Sequence, residues 1–330
     1  MMSDHRILTV PVVFADRFYM SQKALSEIAH LGGYTVAGAI DSGDLAEKIG
    51  GAPSVKVIVS EYVPLNDAVL KRAPALKGVI AYGAGYDHIA VEAMKRKGIM
   101  VCNCLGQNSQ AVAELTFGLL LCLLRKIHQT DPWVRAGEWA KAGMALPEWT
   151  SGRELWRKTL GVIGLGQIGA RVARIAKGFD MRVIGYDPFM NPDHYSRLGV
   201  EPVALAELIS LSDVVTSHLP LTPDTERLID SRMLASAKPG MILVNTSRGK
   251  VVDEEALIDV LQTGRIGGAA LDVFSVEPLP SGNPLVTMDN VILSPHMGAM
   301  TQEAGDRLSD AVARQARDIL EGRLPEYLIY

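Results

Sequence analysis

Short apolar runs alternate with more polar segments along the chain before residue 105. The runs read ILTVPVVF, TVAGAI, VKVIVS, LKGVIAYG and IMVCN, and segments between them, such as Leu65 to Arg72 and Val91 to Lys97, show helix-like spacing. Such alternation is typical of parallel strands joined by crossover helices. It recurs from Lys158 onward in LGVIG, RVIGYD, DVVTSHL, MILVNTS, AALDVF and VILSPH. Because 330 residues exceed what one core usually supports, the pattern predicts an α/β fold with two doubly wound parallel-sheet domains.

Two further segments have the pattern of long helices. Ser109 to Lys126 is apolar on most faces, which predicts a buried helix that bridges the domains, and its run Leu115 to Leu124 is too short to cross a bilayer. Thr301 can cap a last helix that stops at Gly322, and we expect that helix to cross back onto the first domain. Its apolar face is formed by Ala304, Leu308, Val312, Ala316 and Ile319.

The segment from Asp131 to Arg157 interrupts the alternation without a sustained helix or strand period. It holds all four tryptophans, Trp133, Trp139, Trp149 and Trp156. Large aromatic side chains in an irregular segment need a surface to bury against, and a second copy of the chain would provide one. We therefore expect a homodimer contact at 131–157, the alternative being that the tryptophans seal the loop onto its own domain.

Composition excludes several classes of partner. A formal net charge of −4 gives no electrostatic footprint for nucleic acid. The N-terminal run MMSDHRILTVPVVF has no export signal, and the odd set Cys102, Cys104 and Cys122 suits a reducing compartment, so we expect a cytoplasmic protein without membrane contact. We also expect no metal, because no matching ligand pair accompanies Cys102 and Cys104.

A glycine turn opens the second domain. Gly164, Gly166 and Gly169 form GxGxxG directly after the apolar run Leu160–Ile163 and before a helix-period segment. Such a turn lets a dinucleotide pyrophosphate approach the backbone at a helix N-terminus. Asp187, at the end of MRVIGYD, can accept hydrogen bonds from an adenosine ribose. The arrangement predicts an NAD site.

Polar residues also follow the other strands of the second domain. Because ligands bind outside the carboxyl ends of parallel strands, these side chains should face one crevice. They are Asp187, Ser217, His218, Thr246, Ser247, Arg248, Asp272 and His296.

Three residues suit hydride transfer to a keto acid. The guanidinium of Arg248 is a fork of donors that matches a carboxylate and can polarise a carbonyl. His296 can carry a proton near neutral pH, and Glu277 can bind its far ring nitrogen. Ordinary alternatives are a surface salt bridge for the arginine, a structural role for the histidine and a solvated turn for the glutamate. His218 also ends a strand and competes for the proton-transfer role.

A second glycine-rich turn lies in the first domain, where YGAGYD follows the strand KGVIA. Gly83, Ala84 and Gly85 can present backbone N–H groups to a substrate carboxylate. An ordinary turn between a strand and a helix would read the same way.

Segments along nearly the whole chain resemble the D-isomer-specific 2-hydroxyacid dehydrogenases. In order they are GAGYDHI, AVAELTFGLLL, GVIGLGQIG, LPLTPDT, LVNTSRG, VVDEEAL, AALDVFSVEP and SPHMGA. The resemblance implies a flavodoxin-like substrate domain at 1–105 plus 297–330, with a Rossmann NAD domain at 106–296 inserted into it and the active site between them. It implies that Arg248 binds substrate and that His296 and Glu277 form the acid/base pair. Residues implied to line the cofactor are Gly164, Gly166, Gln167, Ile168, Gly169, Asp187, Leu219, Pro220, Thr225, Thr246, Ser247, Asp272 and Gly298.

Local departures refine the ligands. Ser60 and Ala81 stand where phosphate-binding arginines occur in some phosphoglycerate dehydrogenases, so we expect an unphosphorylated substrate. Pro188 and Phe189 follow Asp187 without a basic side chain to neutralise a 2′-phosphate, so we expect NAD rather than NADP.

The leading hypothesis is an NAD-dependent oxidoreductase that transfers a hydride between nicotinamide and a small 2-keto acid or the matching D-2-hydroxy acid, with glyoxylate and hydroxypyruvate as candidates. The alternatives are a phosphoglycerate dehydrogenase, an NAD-sensing corepressor-like binding protein, and an enzyme that takes its hydride from formate or phosphite.

Overall fold

A computed structural model describes residues 9–330. The chain divides into two compact units, Met1–Asn108 with Ala299–Tyr330, and Ser109–Gly298. The division expected from the sequence, 1–105 plus 297–330 and 106–296, stays a prediction. The start of the first predicted strand and the N-terminal stretch expected to hold no export signal fall on residues 1–8, outside the described residues.

The strands, in chain order, are β1 (Val12–Phe14), β2 (Tyr34–Val36), β3 (Val57–Ser60), β4 (Gly78–Ala81), β5 (Met100–Cys102), β6 (Thr159–Ile163), β7 (Arg182–Tyr186), β8 (Glu201–Pro202), β9 (Val214–Ser217), β10 (Ile242–Asn245), β11 (Gly268–Leu271) and β12 (Val291–Leu293).

The helices are α1 (Gln22–His30), α2 (Ser42–Ile49), α3 (Asp67–Arg72), α4 (Val91–Arg96), α5 (Ser109–Leu124), α6 (Ile127–Arg135), α7 (Glu138–Ala142), α8 (Gln167–Gly178), α9 (Pro192–Leu198), α10 (Leu205–Leu211), α11 (Ser231–Ser236), α12 (Glu254–Gln262) and α13 (Gln302–Glu321). Short 3₁₀ turns lie at Glu148–Thr150, Gly249–Val251 and Pro284–Thr287.

The first unit is built on a five-stranded parallel sheet in the order β2-β1-β3-β4-β5, the flavodoxin-like order. Side chains of β3 alternate between its faces: Val57 and Val59 pack with α1 and α13, whereas Ile58 packs with α2 and α3. Helix α13 approaches β4 closely, because a Cβ at Gly78 would lie 2.7 Å from Ile319. The last helix of the chain therefore completes the core of the first unit.

The second unit is built on a seven-stranded parallel sheet in the order β12-β11-β10-β9-β6-β7-β8. Helices α5 and α8 cover one face and α10, α11 and α12 the other, which explains the continuous apolar runs of its central strands. The strand order reverses between β6 and β9, and such a switch point is where ligands bind in open α/β sheets. The predicted α/β class with two doubly wound parallel sheets is confirmed.

Two parts of the second unit differ from the predicted regular structure. Strand β8 was not predicted, because this edge strand has two residues, both exposed, and ends in Pro202. The segment 131–157 was expected to be irregular, yet it holds the end of α6, all of α7 and a 3₁₀ turn. Helix α7 has five residues between Gly137 and Gly143, both at positive φ, and is too short to show a period.

Tryptophans of this segment lie largely at the surface of the second unit. Trp133 and Trp149 meet edge to face with centroids 5.8 Å apart, while Trp139, Trp149 and Trp156 are all more than two-fifths exposed. The homodimer contact stays a prediction. Among residues 9–330 no helix combines the length and the apolar character needed to cross a membrane.

Candidate active site

The glycine turn follows β6 at the switch point of the second sheet. Gly164 has φ +88°, and a Cβ there would lie 2.8 Å from the backbone of His218. A Cβ on Gly169 would lie 1.9 Å from the carbonyl oxygen of Gly164, so α8 can pack this closely only with glycine at that place. A Cβ on Gly166 would meet no heavy atom within 4 Å. Gly166 is the N-cap of α8, so open space adjoins a helix N-terminus, which fits a dinucleotide pyrophosphate.

The carboxylate of Asp187 is fixed against this turn. Its Oδ2 accepts the N–H of Leu165 at 2.7 Å, and its Oδ1 accepts the N–H of Phe189 at 2.9 Å. Asp187 therefore stands beside the glycine turn, where the ribose of a bound dinucleotide would lie. A histidine also lies beside this turn. His194 of α9 places its Nε2 2.8 Å from the carbonyl oxygen of Leu165.

Several residues expected to line the cofactor also make hydrogen bonds that support the strand ends. Thr225 is 1% exposed, and its hydroxyl donates to the carbonyl of Pro220 at 2.6 Å, so it supports the turn that begins at Leu219. The hydroxyl of Thr246 is hydrogen-bonded to that of Thr116 at 3.0 Å. The hydroxyl of Ser247 is hydrogen-bonded to that of Ser217 at 3.1 Å. Gln167 is exposed and Ile168 half-buried at the start of α8. The cofactor contacts expected of these residues stay predictions.

Asp272 also supports neighbouring backbone, and the cofactor contact expected of it stays a prediction. It is 1% exposed and accepts hydrogen bonds from the hydroxyl of Ser294 at 2.6 Å and from the N–H groups of Met297 and Gly298 at 2.9 Å. Burial raises the pKa of this carboxyl group although these hydrogen bonds oppose the shift. The carbonyl of Asp272 also accepts the N–H of His296 at 2.8 Å. Asp272 therefore fixes the turn that carries His296.

Arg248 is positioned by two neighbours that the sequence analysis did not single out. Asn245, at the end of β10, donates to the carbonyl of Arg248 at 2.9 Å and accepts the N–H and hydroxyl of Ser247. Gly249 has the backbone of Phe274 so close that a Cβ would lie 1.9 Å from it. Asn245 could have been recognised from the sequence, because it is a polar residue at the end of an apolar strand. The role of Gly249 could not, because it depends on the close contact with Phe274 in the folded chain.

Glu277 and His296 form a hydrogen-bonded pair. His296 Nδ1 lies 2.7 Å from Glu277 Oε2, and each side chain is 32% exposed. His296 has φ +50°, a left-handed conformation that is uncommon for residues other than glycine and is often found at functional sites. Burial acts to raise the pKa of Glu277, but the hydrogen bond and charge of His296, together with the charge of Arg248, outweigh it and lower that pKa. The pair suits a proton carrier with an ionised partner.

His218 has a different environment. Its Nε2 lies 2.9 Å from the hydroxyl of Thr216, and its Nδ1 is buried without a hydrogen-bond partner among residues 9–330. Burial lowers the pKa of His218 to about 3, so the ring is neutral at physiological pH. This geometry disfavours His218 as the proton donor.

The turn Gly83–Gly85 of the first unit departs in part from expectation. Gly83 donates its N–H to the carbonyl of Ala81 at 2.9 Å. Contrary to the prediction, this N–H group is therefore not available to an anion. The carbonyl of Ala84 is held by Asn103 at 2.8 Å. Within residues 9–330 the N–H groups of Ala84 and Gly85 have no hydrogen-bond partner, and the anion-binding role of these two stays a prediction.

Two of the cysteines, Cys102 and Cys104, belong to the apolar core of the first unit. Cys102 and Cys104 are buried, and burial raises the pKa of both thiols to about 12. The part of the chain that the structure describes contains no group of three or more His, Cys, Asp or Glu side chains arranged to hold a metal ion.

Known proteins resemble this chain in sequence and in fold. Residues 117–298 match the model of the D-isomer specific 2-hydroxyacid dehydrogenase NAD binding domain. A glyoxylate reductase of Korarchaeum cryptofilum is 41% identical over 266 residues, which cover 81% of this chain and 80% of that protein. A D-3-phosphoglycerate dehydrogenase of Methanocaldococcus jannaschii is 40% identical over 311 residues, but the match spans 94% of this chain and only 58% of that protein.

A solved structure adds to these likenesses. The D-lactate dehydrogenase from Aquifex aeolicus, complexed with NAD and lactic acid, superposes with a TM-score of 0.83 at 28% identity, covering 96% of this chain and 98% of that one. The glycine turn, the strand-end residues and these likenesses agree, and the chain belongs to the D-isomer specific 2-hydroxyacid dehydrogenase family and carries its NAD binding domain.

Proposed function

We propose that this protein reduces a small 2-keto acid with NADH to the D-2-hydroxy acid, with glyoxylate and hydroxypyruvate as preferred substrates. The observation that carries the proposal is the 2.7 Å pair of His296 and Glu277, in the same parallel-sheet unit as the open glycine turn and Arg248. The likeness to a glyoxylate reductase supports the substrate class.

The chemistry assigns one task to each side chain. The guanidinium of Arg248 binds the substrate carboxylate and polarises the adjacent carbonyl. Bound NADH supplies the hydride that reduces the carbonyl carbon. His296 donates a proton from Nε2 to the carbonyl oxygen, because its Nδ1 is held by Glu277. The products are the 2-hydroxy acid and NAD⁺, so one keto acid, one hydride and one proton are consumed.

Turnover of purified protein tests the proposal. NADH absorbance is followed with glyoxylate, hydroxypyruvate, pyruvate, 3-phosphohydroxypyruvate, and, in the reverse direction, formate and phosphite with NAD⁺. We expect the highest kcat/KM with glyoxylate or hydroxypyruvate. Saturable NADH binding without turnover of any of these would instead identify a corepressor-like binding protein.

Phosphoglycerate dehydrogenase is the second candidate, because a relative with that name is 40% identical. The first unit argues against a phosphorylated substrate. Ser60 and Ala81 are uncharged and fully buried, and the N–H groups of Tyr62 and Val63 already donate to the carboxylate of Asp16 at 2.7 and 2.9 Å. The carboxylate of Asp16, held by the backbone that follows β3, would repel a substrate phosphate. A kcat/KM for 3-phosphohydroxypyruvate above that for glyoxylate would reverse this choice.

The dinucleotide preference follows from Asp187. Its carboxylate, beside the glycine turn, would accept hydrogen bonds from a ribose diol and repel a 2′-phosphate. We therefore propose NADH as the cofactor, tested by comparing the Kd of NADH and NADPH through nucleotide fluorescence.

A homodimer through 131–157 is also proposed. Exposed apolar side chains concentrate there, with Met144 87%, Leu146 63% and Trp156 53% exposed, and such a surface is typical of an interface. Light scattering of Leu146→Glu should show a smaller mass than wild type, whereas Ile40→Glu, at an 86% exposed site of the first unit, should not.

We also propose a cytoplasmic location, because three free cysteines suit a reducing compartment.

A further inference from the structure

The loop that carries Glu277, residues 275–283, is joined at its two ends by one carboxylate. Glu254 is the first residue of α12. Its Oε2 accepts the N–H of Ser275 at 2.8 Å, and its Oε1 accepts the side-chain amide of Asn283 at 3.0 Å. Both oxygens of Glu254 are therefore used to hold the base of the loop to the helix.

Contacts inside the loop carry this constraint to the acid/base pair. Glu277 Oε1 accepts the N–H of Phe274 at 2.9 Å, next to the N–H that Glu254 binds, and Glu277 Oε2 meets His296 at 2.7 Å. At the other end, Asn283 caps the following 3₁₀ turn by accepting the N–H of Leu285 at 3.0 Å. The place of the Glu277 carboxylate thus depends on a loop whose ends are fixed by α12 and by this turn.

We propose that Glu254 is a positioning residue that sets the Glu277 carboxylate against His296; the proposal rests on the acid/base role proposed above. The chemistry requires a carboxylate here because two donors converge on it from opposite ends of the loop. A glutamine offers one acceptor oxygen and one NH₂ group. Either the N–H of Ser275 or the amide of Asn283 would then face another donor, and one end of the loop would be released.

Glu254→Gln tests the proposal, with Glu255→Gln as its matched control. Glu255 lies in the same first turn of α12 but is exposed, so its change removes the same charge from the helix N-terminus without touching the loop. We expect Glu254→Gln to lower kcat/KM for the keto acid about tenfold, through kcat, with unchanged NADH affinity. Glu255→Gln should stay within about twofold of wild type.

A double-mutant cycle separates positioning from a general structural role. In a Glu277→Gln background, Glu254→Gln should change kcat/KM by less than about twofold, because the group it positions has been removed. A tenfold loss that persists in that background would overturn the proposal. Asn283→Asp is a second variant that keeps the cap of the 3₁₀ turn, sets a carboxylate against Glu254 and should repeat the loss if Glu254→Gln does not fold.

A measurement without substrate keeps this proposal distinct from the proposed function. The downfield proton NMR signal of His296 Nδ1–H, assigned by its loss in His296→Gln, reports the bond to Glu277. It should shift or broaden in Glu254→Gln and not in Glu255→Gln. That result without turnover of any keto acid would reject the function and keep the positioning role, whereas identical spectra in both variants would reject the positioning role.

Discussion

Two histidines end strands of the same parallel sheet, and their surroundings give them opposite properties. His296 follows β12 and binds the carboxylate of Glu277. His218 follows β9, binds the hydroxyl of Thr216, and has its pKa lowered to about 3 by burial. The carboxyl end of a strand provides the location in both cases, whereas the partner and the burial decide whether the ring can carry a proton. The comparison therefore favours His296, in the turn after β12, as the proposed proton donor.

Removal of the His296 imidazole should have the largest effect. We expect His296→Gln to lower kcat/KM for keto acid reduction by about 10³-fold, since a positioned proton donor contributes on the order of 10²–10⁴. NADH affinity, measured by fluorescence, should be unchanged, and His30→Gln in α1 should behave as wild type. A parallel loss of NADH binding would show that His296 is structural.

The carboxylate partner comes next. Glu277→Gln should lower kcat/KM by about 10²-fold, because a neutral amide stabilises a protonated ring less well. Since the pKa of Glu277 is lowered, the ionised form persists to more acid pH than in a free glutamate, whose pKa is about 4.3. The acid limb of the wild-type pH profile should accordingly lie below about 4.3 and be absent in the variant. An acid limb retained in the variant would assign it to another group.

His218 should affect stability far more than turnover. The unfolded ring binds a proton below about pH 6.5 and the native ring only near pH 3, so the native state loses stability as the pH falls between these values. Urea unfolding between about pH 7.5 and pH 4.5 should show a loss about 3 kcal/mol larger in wild type than in His218→Gln. His30→Gln is the control and should keep the wild-type slope. Equal slopes in His218→Gln and wild type would show that the ring is protonated in the native state.

Asp187 should give the smallest effect, at the cofactor end of the same sheet. Asp187→Ala removes a charged acceptor and should weaken NADH binding about tenfold while leaving NADPH binding no weaker. Asp289→Ala, which changes an exposed aspartate before β12, is the control. An unchanged ratio of the two Kd values would remove Asp187 from ribose recognition.

Local periodicity was sufficient to predict most of the fold. The strands β6 and β7 with the glycine turn between them were predictable because a buried parallel strand is a continuous apolar run and a turn of this kind needs glycine. Helix α7 and strand β8 were not, because five and two residues are too few to show a period.

The roles of the side chains could also be predicted only in part. The meeting of Glu277 and His296 was predicted from chemistry and resemblance, and the structure brings them together. The inward roles of Thr225 and Asp272 were not predictable, since burial and hydrogen-bond partners are set by tertiary packing. For the same reason the sequence did not show that the N–H of Gly83 is already donated to Ala81.

The left-handed backbone at His296 decides how chemical complementation should be attempted. Glycine adopts a φ of +50° freely, whereas alanine there adds backbone strain to the loss of the ring. His296→Gly is therefore the background in which imidazole added to the buffer can replace the missing side chain. Glu277 should still orient the bound imidazole. Turnover restored in that variant would measure what the imidazole ring contributes to catalysis, separately from the left-handed backbone of residue 296.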